Sequence, residues 1–405
     1  MPFFSKVSEI NLNAFAVSFF FLTFVKLKFE IKMMKLRYIA FSAITIWTLG
    51  ASAQKITLGS CTLKDGGIYQ GEMQAGKPHG KGRVTWKDGD IFEGEYVKGK
   101  RQGYGVYTFY DGERYEGEWM QDHQHGKGTF YYANNNKYEG LWYRDDREGH
   151  GTMYYYNGDK YDGSWKADLR HGRGRYVFKG GAYYDGEWRQ DKKNGRGIFN
   201  WGNGSLYDGQ WQDDHQHGKG TFRYANGDVY VGQFAADLQH GKGIYKFQNG
   251  DSYEGDYVNG ERTGQGVFRY ANGDKYTGQF LKGDKSGQGM LVRKGGDTYQ
   301  GEWKNDKLNG KAKVTLSSGD VIEGQFRNGQ PNGECIAHYA DGSKFKGHFR
   351  NGQRHGPAIE EDKDGKRFEG TYVNDKRDGD FVEKDRNGTV VATGTYNQGR
   401  RHQNR

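Results

Sequence analysis

A glycine returns every 23 residues along this chain, typically within an aromatic-x-Gly-x-aromatic pentapeptide, from Gly71, Gly94 and Gly117 through to Gly370. Fourteen copies without a slip mean an array of small units, none large enough to bury a face alone and each stable only against its neighbours. One register runs from about Gly59 to Tyr396, which overrides the two or three globular domains that length alone would suggest. Composition fits a thin array. Aromatics reach 16% against only 34% total apolar residues, so each unit contributes a few large rings to a shared layer. Disordered chains lack such rings.

Within one unit, Tyr115, Gly117 and Trp119 alternate with Glu116 and Glu118. Period-two alternation puts rings on one face of a strand and carboxylates on the other. A longer loop, Met120 to Gln124, leads to His125-Gly126-Lys127-Gly128, and a second strand follows through Phe130 and Tyr132. The same set recurs as Tyr161, Gly163, Trp165, Gly172 and Gly174. Asp111-Gly112, Asn157-Gly158 and their equivalents stand between units, and such pairs favour tight hairpin turns. Each period is therefore expected to be a β-hairpin. Gly126 and its equivalents close the longer loop with a positive φ. The mid-strand glycines make room for rings, those of one hairpin covering the glycines of the next.

The pattern Tyr-x-Gly-x-Trp, a loop, His-Gly-x-Gly, a ring-bearing strand and a glycine turn resembles the MORN repeat. The resemblance implies an all-β, elongated, twisted ribbon or solenoid of about fourteen stacked hairpins that mediates protein contacts, self-association or membrane-lipid association. Two strands per unit at ~4.8 Å suggest roughly 130 Å of ribbon. Boundaries follow: an opening half-repeat at 54–68, fourteen repeats at 69–391, and a partial repeat with a basic tail at 392–405. In the last four units the second glycine becomes Ala312, Cys335, Ala358 and Phe381, and ring positions of the last two become Glu360, Asp362, Glu383 and Asp385. This reads as the polar cap that keeps an array soluble at its end.

The first 53 residues read as an address. Met33-Met34-Lys35-Leu36-Arg37, an apolar run from Ile39 to Leu49, and Ala51-Ser52-Ala53 before Gln54 have the order of a signal peptide. Residues 1–32 then read as an upstream extension from a mis-assigned start; a membrane-anchored amino terminus is the alternative. Leu58-Gly59-Ser60-Cys61 imitates a lipidation box, but Cys61 also falls in the register of Val84 as a small inward residue. Cys61 and Cys335 lie about twelve periods apart, too far for a disulfide. Removal of residues 1–53 lowers the formal charge from +9 to +5, well short of a nucleic-acid binder.

No catalytic or cofactor-binding constellation stands outside the repeat. Gly71-x4-Gly76-Lys77 and Gly94-x4-Gly99-Lys100 begin like phosphate loops but continue with Pro78 and Arg101, where Ser or Thr is required. His123/His125 and His215/His217, beside Asp122, Asp213 and Asp214, could offer imidazoles to a metal, yet a loop-closing role suffices. Paired carboxylates such as Glu93/Glu95 and Glu116/Glu118 recur too often for a catalytic dyad. What remains is a row: Lys81, Lys127, Arg173, Arg196, Lys219, Lys242 and Lys311 follow the loop glycine in seven units. Stacking would align them along one edge at ~10 Å intervals. They either pair with carboxylates and hold register, or meet an anionic lipid or envelope polymer. The expectation is an exported, non-enzymatic scaffold for protein partners, with peripheral binding of anionic surfaces as the alternative.

Overall fold

The computed structural model describes residues 55–402. The expected upstream extension, signal peptide and cleavage site at Ala53–Gln54, and the last three residues of the basic tail, lie outside them. The described chain is all-β, with 31 strands and no helix. Each strand pairs antiparallel with the one before and the one after, from Thr57–Thr62 to Arg400–His402. The result is one open sheet, on the order of 140 Å along its stacking direction at ~4.8 Å per strand.

Two strand types alternate, seven residues (Arg114–Met120) then nine (His123–Tyr131). The expected longer loop does not exist. Met120 pairs directly with His123, leaving a two-residue turn in which Gln121 and Asp122 both take positive φ, 55° and 75°. Two positive φ values match the right-handed twist of the flanking strands. Gly126 has the positive φ expected of it, 58°, but lies inside the nine-residue strand. There the register jumps between Gly117–Gly128 and Glu118–His125, so Gly126 and Lys127 bulge, and the Glu118 carboxylate accepts the freed Lys127 N–H at 3.2 Å. Asp111-Gly112 does not form a two-residue turn either. Gly112 N–H donates to Phe109 O and Phe109 N–H to Glu113 O, a three-residue loop whose last residue needs positive φ.

The mid-strand glycines form a spine. Gly117 pairs with Gly105 on one side and Gly128 on the other, and Gly128 pairs with Gly140. The Tyr115 ring lies flat across its own strand and its hairpin partner. A Cβ at Gly117 or Gly128 would stand 2.6 Å or 2.3 Å from its hydroxyl oxygen. Rings thus cover the glycines of their own unit, and it is the tryptophan that reaches its neighbour: Trp119 Nε1 donates to Gly105 O at 3.2 Å and Trp165 Nε1 to Gly151 O at 3.0 Å. The tyrosine hydroxyl folds back on its own strand, as Tyr115 does to Glu118 O at 2.9 Å. Edge-to-face contacts then link the units without interruption, Tyr115 to Trp119 at 5.2 Å, Tyr115 to Trp142 at 5.4 Å, and so on to Trp303.

Candidate interaction surface

One face of the sheet is occupied by rings, and the cations on it are committed to the fold. The second residue of each nine-residue strand points there. Arg147 donates its backbone N–H and its Nε to Asp168 Oδ1, each at 2.9 Å, and its Nη2 to Asp168 O at 2.8 Å. Its guanidinium also sits 4.4 Å from the Trp165 ring centroid. Arg170 repeats this with Asp191 and Trp188, and Lys193 lies 4.4 Å from the Trp211 ring. Burial on that ring pulls the Lys193 ammonium below its ordinary range. Asp168 and Asp191 are the second turn residues of the next unit. Their positive φ, 65° in both, is unfavourable for a residue with a Cβ and is offset by the clamp. Where glycine takes the position, as at Gly260, only the backbone bond to the preceding unit survives. Sequence reading missed this ring-face row. Its signal was a basic residue or Gln two before the bulge glycine, followed 21 residues later by Asp.

The His pairs fall into the same clamp. His123 Nδ1 meets Asp145 Oδ2 at 2.5 Å, and His215 Nδ1 meets Asp237 Oδ2 at 2.6 Å. His125 and His217 sit at the bulge, two residues on. Cys61 pairs with Tyr69 and packs partly buried against the rings; Cys335 is buried, and both are free thiols.

The opposite face carries the other candidates. Lys81, Lys127, Arg173, Arg196, Lys219, Lys242 and Lys311 are all exposed. They do not line an edge. Each is mid-strand, directly across from a residue of the next unit: Lys81 from Glu95, Lys127 from Leu141, Arg173 from Glu187, Lys242 from Asp256. Among the described residues only Lys242 of this row makes an ion pair, with Asp256 at 2.6 Å. The glycine spine has its missing side chains on the ring side, so on this face the peptide backbone itself is the floor. A trough of about 600 Å³ over Gly117, Gly128, Gly140 and Gly151 has Tyr104, Lys127, Leu141 and His150 on one wall. Glu116, Thr129, Glu139 and Thr152 form the other.

The ring face changes near the carboxyl end. Glu360 accepts Arg377 Nη2 at 2.6 Å and the Tyr372 hydroxyl at 2.5 Å, and Glu383 pairs with Arg401 at 3.2 Å. Burial pushes the Glu360 carboxyl up, but the bonds from Arg377 and Tyr372 outweigh it and hold it below the usual range. These carboxylates are a salted interior, not a solvated polar end. Asp362 instead caps its turn, accepting from Asp364 and Lys366 N–H at 2.9 Å each.

Comparison with curated proteins returned no match. Among solved structures, the SAS-4 (dCPAP) TCP domain of Drosophila melanogaster, in complex with a proline-rich motif of Ana2, is 14% identical. That match covers 38% of this chain and 85% of that one at a TM-score of 0.25. The Danio rerio CPAP TCP10 domain bound to a STIL peptide is 12% identical over 67% of this chain and 100% of that one, TM-score 0.23. Virginiamycin B lyase from Staphylococcus aureus matches at 12% identity over 70% and 91%, TM-score 0.12. Overlap this slight leaves their ligands as properties of those proteins. The model of the MORN repeat family, by contrast, matches fourteen successive segments from 69–91 to 368–379, and with well over half of its residues so matched the chain belongs to the MORN repeat family.

Proposed function

We propose that this chain is an exported, non-enzymatic scaffold that holds protein partners along the face opposite its rings. The observation that supports this reading is the trough over the glycine spine, with a backbone floor and side-chain walls, which is found over Gly117–Gly151 and again over Gly243–Gly266. Such a surface offers more than one foothold, which suits extended partners, and it has no enclosed space in which to isolate a reaction. The alternative is peripheral binding of anionic lipid or envelope polymer through the basic row. It is weakened by the carboxylates one strand away: Glu95 faces Lys81, Glu187 faces Arg173 and Asp256 faces Lys242. Opposite charges ~5 Å apart largely offset each other at a distance of a Debye length, about 8 Å, so the positive field of the row is interrupted at these three units, while Lys127, Arg196, Lys219 and Lys311 face Leu141, Gln210, Gln233 and Gln325.

The test is affinity capture from envelope fractions with the full chain and with a variant carrying Lys127, Arg173, Arg196, Lys219 and Lys242 all as Gln. The scaffold reading expects the same protein partners with both. Salt-sensitive binding of the parent to anionic vesicles, lost in the variant, would establish the alternative. Export expects a mature chain starting at Gln54, and mass spectrometry finding Met1 or a diacylated Cys61 would replace it with an anchor.

A further inference from the structure

The face opposite the rings is not uniform along its length. In the early units its carboxylates are matched: Glu93 by Arg83 at 3.0 Å, Glu139 by Lys137 at 2.6 Å, Asp162 by Lys160 at 3.4 Å, and Glu116 by Arg114. Between residues 206 and 292 this gives way to an apolar stripe. Thr221 pairs with Val231 and Val231 with Ile244; past Glu254, Val267 pairs with Thr277 and Thr277 with Met290. Val231, Ile244 and Met290 are 46%, 37% and 39% exposed, more than a side chain serving only the fold needs to be. Val231, Ile244, Val267 and Thr277, with Glu254 among them, border a trough of about 620 Å³ whose floor is the backbone of Gly243, Gly255 and Gly266; Met290 lies beyond it.

Cations line one side along the stripe and the other only at its start, where Lys219 and Lys242 are followed by Asp256, Gln265 and Gln279. Lys219 and Arg223 flank Thr221 on one strand, Lys242 and Lys246 flank Ile244 on another, and Arg269 and Lys275 continue the second row as a cross-strand pair. Apart from the Lys242–Asp256 pair, none of these side chains makes an ion pair or hydrogen bond among the described residues. The flanking rows stand four residues apart on each strand, ~13 Å at ~3.3 Å per residue. An α-helix with its side chains is about 10–12 Å across. Along the ribbon the stripe repeats every two strands, ~10 Å, close to the ~10.5 Å that seven helical residues cover. The seven strands from Thr221 to Met290 span ~29 Å, the length of roughly 19 helical residues.

We propose that this stretch is a docking groove for an acidic amphipathic α-helix of a partner protein, lying along the ribbon axis. Its apolar stripe covers Val231, Ile244, Val267 and Met290, and its flanking carboxylates meet Arg223, Lys246 and Arg269. The proposal rests on the scaffold reading and names the partner chemistry for it. A helix lies against the ridge of Arg223, Lys246 and Arg269 with its apolar side on the floor, whereas a flat bilayer would rest on that ridge and leave the apolar floor uncovered.

The probe is a fluorescent 20-residue peptide with Leu at heptad positions a and d and Glu at e and g, beside a version with Lys in place of Glu. Both are titrated against the full exported chain by anisotropy. The parent should bind the Glu peptide and not the Lys peptide. Charge reversal at R223E/K246E/R269E should weaken the Glu peptide at least tenfold and confer binding of the Lys peptide. V231S/I244S should weaken it without changing charge preference. All five positions are solvent-facing, and an unchanged circular dichroism spectrum verifies the fold. Equal binding of the Glu peptide by parent and charge-reversed chains would overturn the proposal. So would its displacement by phosphatidylglycerol vesicles that bind with the same dependence on Arg223, Lys246 and Arg269. A natural partner captured equally by both chains would sink the groove and leave the scaffold standing. Failure to capture any protein, with the Glu peptide still bound selectively, would sink the scaffold reading and leave the groove's chemistry intact.

Discussion

From Tyr69 to Trp303 the rings form one unbroken edge-to-face ladder, while from Leu308 onward the same backbone is filled differently. In the first region a tyrosine lies over two glycines. In the second the paired glycine is Ala312, Cys335, Ala358 or Phe381, and the partner facing it across the strand is correspondingly altered. Tyr299, whose unit has Ala312, is only partly buried. In its nine counterparts from Tyr69 to Tyr276 the hydroxyl reaches back to its own strand. Ile322, Phe345 and Phe368 take the place of the tyrosine in the units that carry Cys335, Ala358 and Phe381. No ring contact joins Trp303 to Phe345, and the buried residues fall into two clusters, up to Phe326 and from Cys335. A ring lying on the backbone, a tyrosine in nine units and Phe92 in one, thus goes with a pair of glycines beneath it.

The largest effect should come from breaking the ladder. Trp165→Ala removes the rung between Tyr138 and Tyr161, together with the indole bond to Gly151 and the Arg147 stack. It should cost ~3–5 kcal/mol, confined by nearest-neighbour coupling to adjacent hairpins. Hydrogen exchange should rise around residues 138–188 only; uniform loss of protection from end to end would show that the ribbon is one cooperative unit. Phe326→Ala, which removes a ring with no ring partner among the described residues, should cost less.

A smaller effect distinguishes the two fillings directly. Gly220→Ala places a Cβ 2.5 Å from the Tyr207 ring, which must then lift as Tyr299 does, at about 1–3 kcal/mol. Ala312→Gly should be close to neutral, because the conformational cost of glycine, ~0.5–1 kcal/mol, is offset if Tyr299 settles onto the spine. Quenching of tyrosine fluorescence by iodide reads both. Equal accessibility in Gly220→Ala and parent would show that the ring does not depend on the glycine beneath it.

Both regions should respond to pH, each through its own groups. Glu360 has a folded pKa below its unfolded value, so its contribution is full above the ordinary carboxylate pKa of about 4.3 and fades as pH falls through the lower folded value. Burial pushes the Tyr69 and Tyr253 phenols up to about 12. Their contribution is therefore full below the ordinary phenol pKa of about 10 and is lost as pH climbs toward 12. Burial and the Glu360 carboxylate likewise push the Tyr372 phenol up to about 12, and hydrogen bonds hold Asp159 and Asp228 of the ladder low, so each region has groups sensitive to acid and to alkali. Glu360→Gln should remove part of the acid sensitivity of residues near 345–396; hydrogen exchange there that rises equally in variant and parent as pH falls would contradict the role given to Glu360.

How much of this was legible in sequence follows from what kind of signal each feature leaves. The 23-residue return of Gly117 and its equivalents, with rings at alternate positions, gave the hairpins, their faces and the family. The turns were misplaced because Asn-Gly and Asp-Gly are strong cues for two-residue turns, whereas Gln121-Asp122 is a weak one whose strain is relieved only by contact with the preceding unit. That contact joins residues 21 apart, as Arg147 with Asp168, and no local pattern announces it. The row containing Lys127 was found but put on an edge, since the bulge that carries it into mid-strand depends on a register jump. The apolar stripe at Val231 and Ile244 was missed because its members belong to different units and come together only through cross-strand pairing.

The smallest predicted change concerns that row. If Lys81 and its equivalents held register by pairing, their loss would destabilise the ladder region. Lys81, Lys127, Arg196 and Lys219 are bonded through their backbone N–H groups, to Glu72, Glu118, Glu187 and Gln210, and those bonds survive any side-chain change. Only Lys242 has a side-chain partner, and it is exposed, a setting where a pair contributes ~0–1 kcal/mol. The five-fold Gln variant should therefore unfold within about 1 kcal/mol of the parent in urea. Glu118→Ala, which removes the cap on the exposed bulge N–H of Lys127, should cost about as much by itself, ~0.5–1.5 kcal/mol, despite removing a single side chain. A five-fold variant much less stable than Glu118→Ala would show that the cations, not the bulge caps, keep neighbouring units in step.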